Sequence, residues 1–96
     1  MPLQKLTDQD IQSYLAQTEG WALDPQTGEI TRTYTFKDFT LALAFVGLVG
    51  YLAEKAGHHP DMLITYNKVK LALVTHDAGG LTEKDFALAR QVNGLV

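Results

Sequence analysis

Residues 38–57, DFTLALAFVGLVGYLAEKAG, decide the fold. Asp38 has the short acceptor side chain that caps free amides at a helix start. Gly57 suits a left-handed cap at the other end, so the stretch reads as one helix to about Ala56. Phe39, Ala42, Val46, Val49 and Ala53 recur at helical spacing as one apolar stripe. Leu41, Phe45, Leu48 and Leu52 form a second, lying roughly opposite at about 100° per residue. A helix apolar nearly all round must be covered on both sides. One small domain offers one sheet, hence one cover, and the second stripe is expected to meet another subunit. Gly47 and Gly50 weaken the helix and suit close backbone packing. The uncharged run, residues 39–53, falls short of the about 20 apolar residues that span a bilayer, so a buried helix is expected and no membrane segment.

Working outward, residues 29–36 alternate: Ile30, Tyr34 and Phe36 on one side, Thr31, Thr33 and Thr35 on the other. Period two and β-branching make this a strand. Residues 21–24 give a short strand before it, with Pro25-Gln26-Thr27-Gly28 as the turn. Thr7 and Asp10 form a variant capping box opening a helix to about Gln17, which Gly20 stops. Beyond Gly57, residues 62–66 and 69–76 read as two strands around Asn67-Lys68. Thr82 and Asp85 make another capping box, opening a helix over residues 83–93 that Gly94 closes. The order is helix-β-β-helix-β-β-helix. It fits an α+β two-layer sandwich, a four-stranded antiparallel sheet with three helices on one face, as a single domain over residues 1–96.

Composition narrows the chemistry. The chain has no cysteine, which excludes disulfides, thiolate catalysis and cysteine-ligated zinc. Eleven acidic against eight basic residues, with no Lys/Arg cluster, give no support to nucleic-acid binding. No secretory h-region precedes residue 8, and a cytoplasmic protein is expected.

The only histidines are His58, His59 and His76, within nineteen positions. Two follow the long helix and the third ends the last strand, so the open end of the second hairpin should bring them together. Histidine gives or takes a proton near neutrality, with an unperturbed pKa of about 6.5. A reaction that loses hydroxide from one atom and a proton from another needs both a donor and an acceptor, and two imidazoles across a flat substrate supply them. Glu54, one turn before His58, and Asp85, in the first turn of the last helix, are the acids that would fix ring tautomers. The expected pairs are Glu54 with His58 and Asp85 with His76. Each residue also has an ordinary reading: a polar linker before Pro60, a strand-end histidine, a capping aspartate, a solvated glutamate. Trp21 and Tyr66 read as core or pocket wall. A zinc or iron site from the histidines with Asp61 or Asp85 is the rival chemistry. Adjacent histidines diverge from an extended backbone, however, and the i, i+4 or i, i+2 ligand spacings are missing.

Glu54, three residues, His58-His59-Pro60, five residues, Tyr66, nine residues, His76, eight residues, Asp85: this series resembles the signature of the pterin-4a-carbinolamine dehydratase family, also known as dimerisation cofactors of a homeodomain transcription factor. Thr75-His76-Asp77, Gly80-Leu81-Thr82, Gly20-Trp21 and Phe36-Lys37-Asp38-Phe39 are similar to the family too, so the likeness covers nearly all the chain after Thr7. Met62 departs, standing where many relatives carry an aromatic. The resemblance implies a four-stranded sheet assembled as a homodimer or homotetramer. It implies dehydration of 4a-hydroxytetrahydropterin to quinonoid dihydropterin, recycling the pterin cofactor of aromatic amino acid hydroxylases without metal or organic cofactor. It also implies roles: His58 and His76 as proton donors and acceptors, His59 as a pterin-orienting residue, and Pro60 with the backbone of Thr75, Asp77 and Ala78 as pocket lining. A non-catalytic binding or coactivator protein on the same fold is the alternative; such a scaffold needs the helical interface and not three imidazoles.

Overall fold

The computed structural model describes residues 3–96. Its elements run α1 (Asp8–Ala16), β1 (Ala22–Leu23), β2 (Ile30–Thr35), α2 (Phe39–Ala56), β3 (Asp61–Thr65), β4 (Lys68–Leu73), a one-turn 3-10 helix (His76–Ala78) and α3 (Glu83–Asn93). Both capping boxes form: Thr7 Oγ1 accepts from Asp10 N at 3.1 Å, and Asp85 Oδ2 accepts from Thr82 N at 2.9 Å. Asp38 Oδ1 accepts from Leu41 N at 2.9 Å.

The sheet is antiparallel throughout, in the order β1-β2-β4-β3. α2 carries the chain from β2 to the far edge, and the β3–β4 hairpin folds back to fill the central place. Ile30 and Tyr34 of β2 and Val69, Leu71 and Leu73 of β4 face the helices and are buried. The reverse face of these strands presents Thr31, Thr33, Lys68 and Lys70, as one-sided antiparallel sheets do. Against the inner face pack Ala42, Phe45, Val49 and Ala53 of α2, Phe86, Ala89 and Val92 of α3, and Ile11 of α1. Each larger side chain fully buried there stabilises the fold by about 1.5–3 kcal/mol.

Four local expectations are corrected. β4 stops at Leu73, not His76: Leu73 is the last residue with a partner on β2 and Ala72 the last with one on β3. Thr75 bridges back to Gly80 instead, closing a small loop that holds His76. The hairpin turn is Tyr66-Asn67 rather than Asn67-Lys68, because Lys68 already pairs with Thr65. Tyr66 takes the left-handed conformation at φ 53°, while Asn67 is locked to β2's end through Nδ2 to Phe36 O at 2.9 Å. On α2, Phe45 belongs to the core and not to the outer stripe. It packs on Tyr34 and Phe36 with ring centroids 4.7 and 4.9 Å apart. Phe39, assigned to the core stripe, is instead 46% exposed.

The outer face of α2 is therefore Leu41, Leu48 and Tyr51, flanked by Phe39 and Leu43, all exposed. The helix has the length and apolarity to cross a membrane, yet its Ala42-Phe45-Val49-Ala53 side is fixed within this chain's own core. A contiguous apolar patch of this kind marks an interaction surface.

At the far end of the core, Asn93 Oδ1 accepts from Trp21 Nε1, Arg32 Nη1 and Tyr34 Oη at 3.0, 2.7 and 2.6 Å, and its Nδ2 donates to Glu19 O. One side chain thus joins α3, β2 and the segment between α1 and β1. Asn93→Leu leaves three donors without their acceptor and is expected to cost about 2–3 kcal/mol, read from urea unfolding. Tyr14 and Tyr34 both hold their phenol protons above the usual range, Tyr14 chiefly through its bond to Glu83 and Tyr34 chiefly through burial. Their contribution to stability is complete below the unfolded pKa of about 10 and is lost as pH rises from there through the raised folded value. Alkaline titration of unfolding should show that decline, reduced in Tyr34→Phe.

Candidate active site

The site lies where α2 ends, β4 ends and α3 begins. Gly57, at φ 62° and ψ 32°, turns the chain left-handed, and the His58 amide still bonds back to Ala53 O at 3.1 Å. His58 is thereby folded under the helix end. Its Nε2 lies 2.5 Å from Asp85 Oδ1. Asp85 is completely buried, and the His58 side chain is 11% exposed. The other carboxylate oxygen of Asp85 accepts from Thr75 Oγ1 and from Thr82 N, both at 2.9 Å. Since Thr75 gives its hydroxyl proton to Asp85, Thr82 is the donor in their 2.8 Å contact.

His59 points elsewhere and takes Glu54, Nε2 to Oε1 at 2.6 Å, with side chains 62% and 80% exposed. The expected acid pairing is thus corrected: Asp85 holds His58, and Glu54 holds His59. The left-handed Gly57 explains the exchange. It breaks the helical path that would have put His58 over Glu54, and the two adjacent rings take separate acids. An ionised carboxylate only accepts, so both Nε2 atoms carry protons, and Nδ1 is the nitrogen left to take one. Among the described residues no side chain bonds the ring of His76, which starts the 3-10 turn and is exposed.

His58, His59 and His76 nonetheless line one cavity of about 480 Å³, together with Thr75, Asp77 and Ala78. Gly57, Val74, Leu3 and Lys84 complete its lining. Of the residues expected at the site, Pro60 is not in that lining; it is half-buried just before β3. Glu54 and Asp85 stand behind the rings they hold. Tyr66 sits at the opposite end of the hairpin, and Trp21 is core. Among the described residues, no three His, Asp or Glu side chains come together as a metal-ligating group.

Sequence reasoning missed the hydroxyls of Thr75 and Thr82 as the anchors of Asp85. Thr82 carried a signal as an N-cap; Thr75 was marked only as pocket lining through the resemblance, and it is the Thr75–Gly80 bridge that brings its hydroxyl within reach of Asp85. Lys84, one position before Asp85, and Leu3 gave no sign of facing a cavity.

An α+β sandwich with paired imidazole and carboxylate groups around an open cavity defines a small domain equipped for proton transfer. Comparison with known proteins gives that class a family. Residues 4–95 match the family model for pterin 4 alpha carbinolamine dehydratase. A Chloroflexus aggregans protein named "Putative pterin-4-alpha-carbinolamine dehydratase" is 51% identical over 92 residues, covering 96% of this chain and 97% of the relative. The crystal structure of a Brucella melitensis transcriptional coactivator/pterin dehydratase superposes with a TM-score of 0.91 at 36% identity, covering 95% of this chain and 97% of that one. A pterin dehydratase-like protein identified as a RuBisCO assembly factor in the alpha-carboxysome shares the fold, with a TM-score of 0.68 at 22% identity over 80% of this chain and 89% of its own. The chain belongs to the pterin-4a-carbinolamine dehydratase family.

The two carboxylates should differ sharply in their worth. Asp85→Ala removes the charge partner of a nearly buried imidazole and strands two further donors, and should cost about 3–5 kcal/mol. Glu54→Ala breaks an exposed pair and should change stability by no more than about 1 kcal/mol. Thermal melts of the two variants decide it; equal losses would contradict the burial argument.

Proposed function

We propose that the chain dehydrates 4a-hydroxytetrahydropterin to quinonoid dihydropterin by imidazole acid–base catalysis, and so recycles the pterin cofactor of aromatic amino acid hydroxylases in the cytoplasm. The observation that carries this reading is the convergence of all three imidazoles on one cavity in a chain of this family. The reaction takes a proton from N5 of the pterin and expels the hydroxyl at C4a as water, so one base and one acid suffice. His58 is the base. With its Nε2–H given to Asp85, Nδ1 receives the proton, and the buried carboxylate stabilises the imidazolium that forms, as the acid of a catalytic triad does. His76, bound to no side chain among the described residues, is the acid that protonates the departing hydroxyl. His59, held by Glu54, orients the ring, and the backbone of residues 75–78 forms the pocket wall. Return of the proton from His58 to His76, through the water released, completes the cycle. No metal or organic cofactor is needed for these steps.

The apolar outer face of α2 supports self-association as a dimer or tetramer, since one chain covers only the other side of that helix. It also favours a second role as a binding or coactivator protein, of the kind named for the Brucella melitensis relative. A single chain can carry both activities, because the α2 face and the cavity share no residue.

Generating the carbinolamine enzymatically and following its decay by ultraviolet absorbance tests the reaction. The protein should speed the decay, and His58→Ala and His76→Ala should each slow turnover by about 10²–10⁴-fold with oligomer mass unchanged. Unaltered turnover in both variants would refute the assignment. Leu48→Glu should lower the assembly's mass by light scattering while leaving a folded chain; an unaffected mass would remove the α2 face as the contact.

A further inference from the structure

The segment before α1 crosses the loop that carries His76. Leu6 N donates to Leu81 O at 2.8 Å, and the Leu6 side chain packs on the core. Leu3, at the start of the segment, lines the three-histidine cavity. Lys5 lines a second groove, of about 590 Å³, which shares Val74 and His76 with the first. Residues 3–6 therefore form a strap over the 76–80 loop, tied down at Leu6. Gly80 is half-buried, while Gly79 beside it is exposed. A Cβ on Gly80 would have three Lys5 carbons as its nearest neighbours, Cε at 2.8 Å and both Cδ and Cγ at 3.2 Å. A Cβ on Gly79 would meet nothing within 4 Å among the described residues. Gly79 is glycine for its backbone, at φ 78°. Gly80 has no positive φ, so its missing side chain serves a different end: it lets the Lys5 stem lie flat on the loop.

We propose that Lys5 is a positioning residue for His76, acting through its methylene stem and not through its charge. The proposal rests on the dehydratase reading, in which His76 is the acid. No side chain among the described residues bonds the His76 ring, so its place depends on the backbone of its loop. That loop is closed by the reciprocal Thr75–Gly80 bridge, with Thr75 N to Gly80 O at 3.2 Å and Gly80 N to Thr75 O at 3.3 Å. Both are longer than the about 2.9–3.0 Å usual for such bonds. Long bonds on a surface loop exchange readily for water, and the loop then opens at little cost. An apolar stem laid over Gly80 excludes that water, as long cationic side chains do when the stem covers a surface and the head stays in solvent. Lys5 suits this use: it is exposed, and no ion pair holds its ammonium among the described residues. Without the stem the loop loosens and the imidazole shifts relative to His58. Misplacing a reacting group by about 1 Å can cost about 10²-fold in rate.

Steady-state carbinolamine decay and amide hydrogen exchange, measured on the same variants, test this. Lys5→Ala should lower kcat about five- to tenfold with KM unchanged, since Lys5 lies outside the first cavity. The Thr75 and Gly80 amides should exchange about tenfold faster, with those of the central strands unaffected. Lys5→Met keeps an unbranched stem without the charge, and should return both readings to within about twofold of wild type. Gly80→Ala evicts the stem from the other side and should match Lys5→Ala. The double variant should be no worse than either, because both changes remove one contact. A raised KM at unaltered kcat, or a methionine variant as slow as the alanine one, would overturn the proposal, since Lys5 would then act on a ligand or through its charge. Unaltered exchange in Lys5→Ala overturns it too, as does faster exchange with no loss in kcat. If the wild-type protein fails to accelerate decay, the dehydratase reading falls, and the exchange readings decide the clamp by themselves. Faster exchange rescued by methionine then upholds the clamp on the loop, and unaltered exchange removes it.

Discussion

The buried carboxylate of Asp85 is the point on which the site depends. A charge withdrawn from water is tolerated only when bonded on every side. Here the bonds come from three separate parts of the chain: His58 after α2, Thr75 after β4 and Thr82 before α3. Satisfying one ion therefore fixes the mutual positions of three element ends. The same residue serves as the N3 member of α3's capping box, so helix initiation and ring orientation are a single interaction. This is why a carboxylate that looks like ordinary capping in one dimension becomes the anchor of a proton-transfer group in three.

Much of this was legible in the sequence, and the reason differs by element. Both capping boxes, Asp38 and Gly57 have local physics that needs no tertiary context, and the helices begin and end where those residues say. The threonine alternation of residues 29–36 fixes the two faces of β2 for the same reason. What could not be read depends on partners distant in sequence. β4 ends where its neighbours end, a fact about β2 and β3 rather than about Val74 or Thr75. Phe45 goes inward because Tyr34 and Phe36 leave a space of its size, whereas helical spacing alone allots it to either stripe. The three histidines announced a site, but their acids were exchanged, because sequence distance made Glu54 the natural partner of His58 and the left-handed glycine between them was read only as a stop.

The two His–carboxylate pairs look alike as a pair of short contacts yet act in different media. His58 and Asp85 meet where water is excluded, so their attraction is little screened and their geometry is rigid. His59 and Glu54 meet in solvent, where the same contact holds a ring only loosely. Such a division suits a site in which one imidazole must keep its position through a proton transfer while another adapts to a ligand that arrives and leaves.

His76 differs from both in being bound by no side chain among the described residues, and the fold accounts for this. Because β4 loses its neighbours at Leu73, the chain can turn on the Thr75–Gly80 bridge and present residue 76 on the outside of a tight loop. The backbone is well fixed there, by the bridge and by Ala78 and Gly79 bonding back to Thr75 and His76, while no side chain among the described residues takes either nitrogen of the imidazole. For the acid role proposed for His76, a fixed backbone serves better than a carboxylate partner, which would hold one nitrogen permanently. The same position puts the ring in the lining of both cavities.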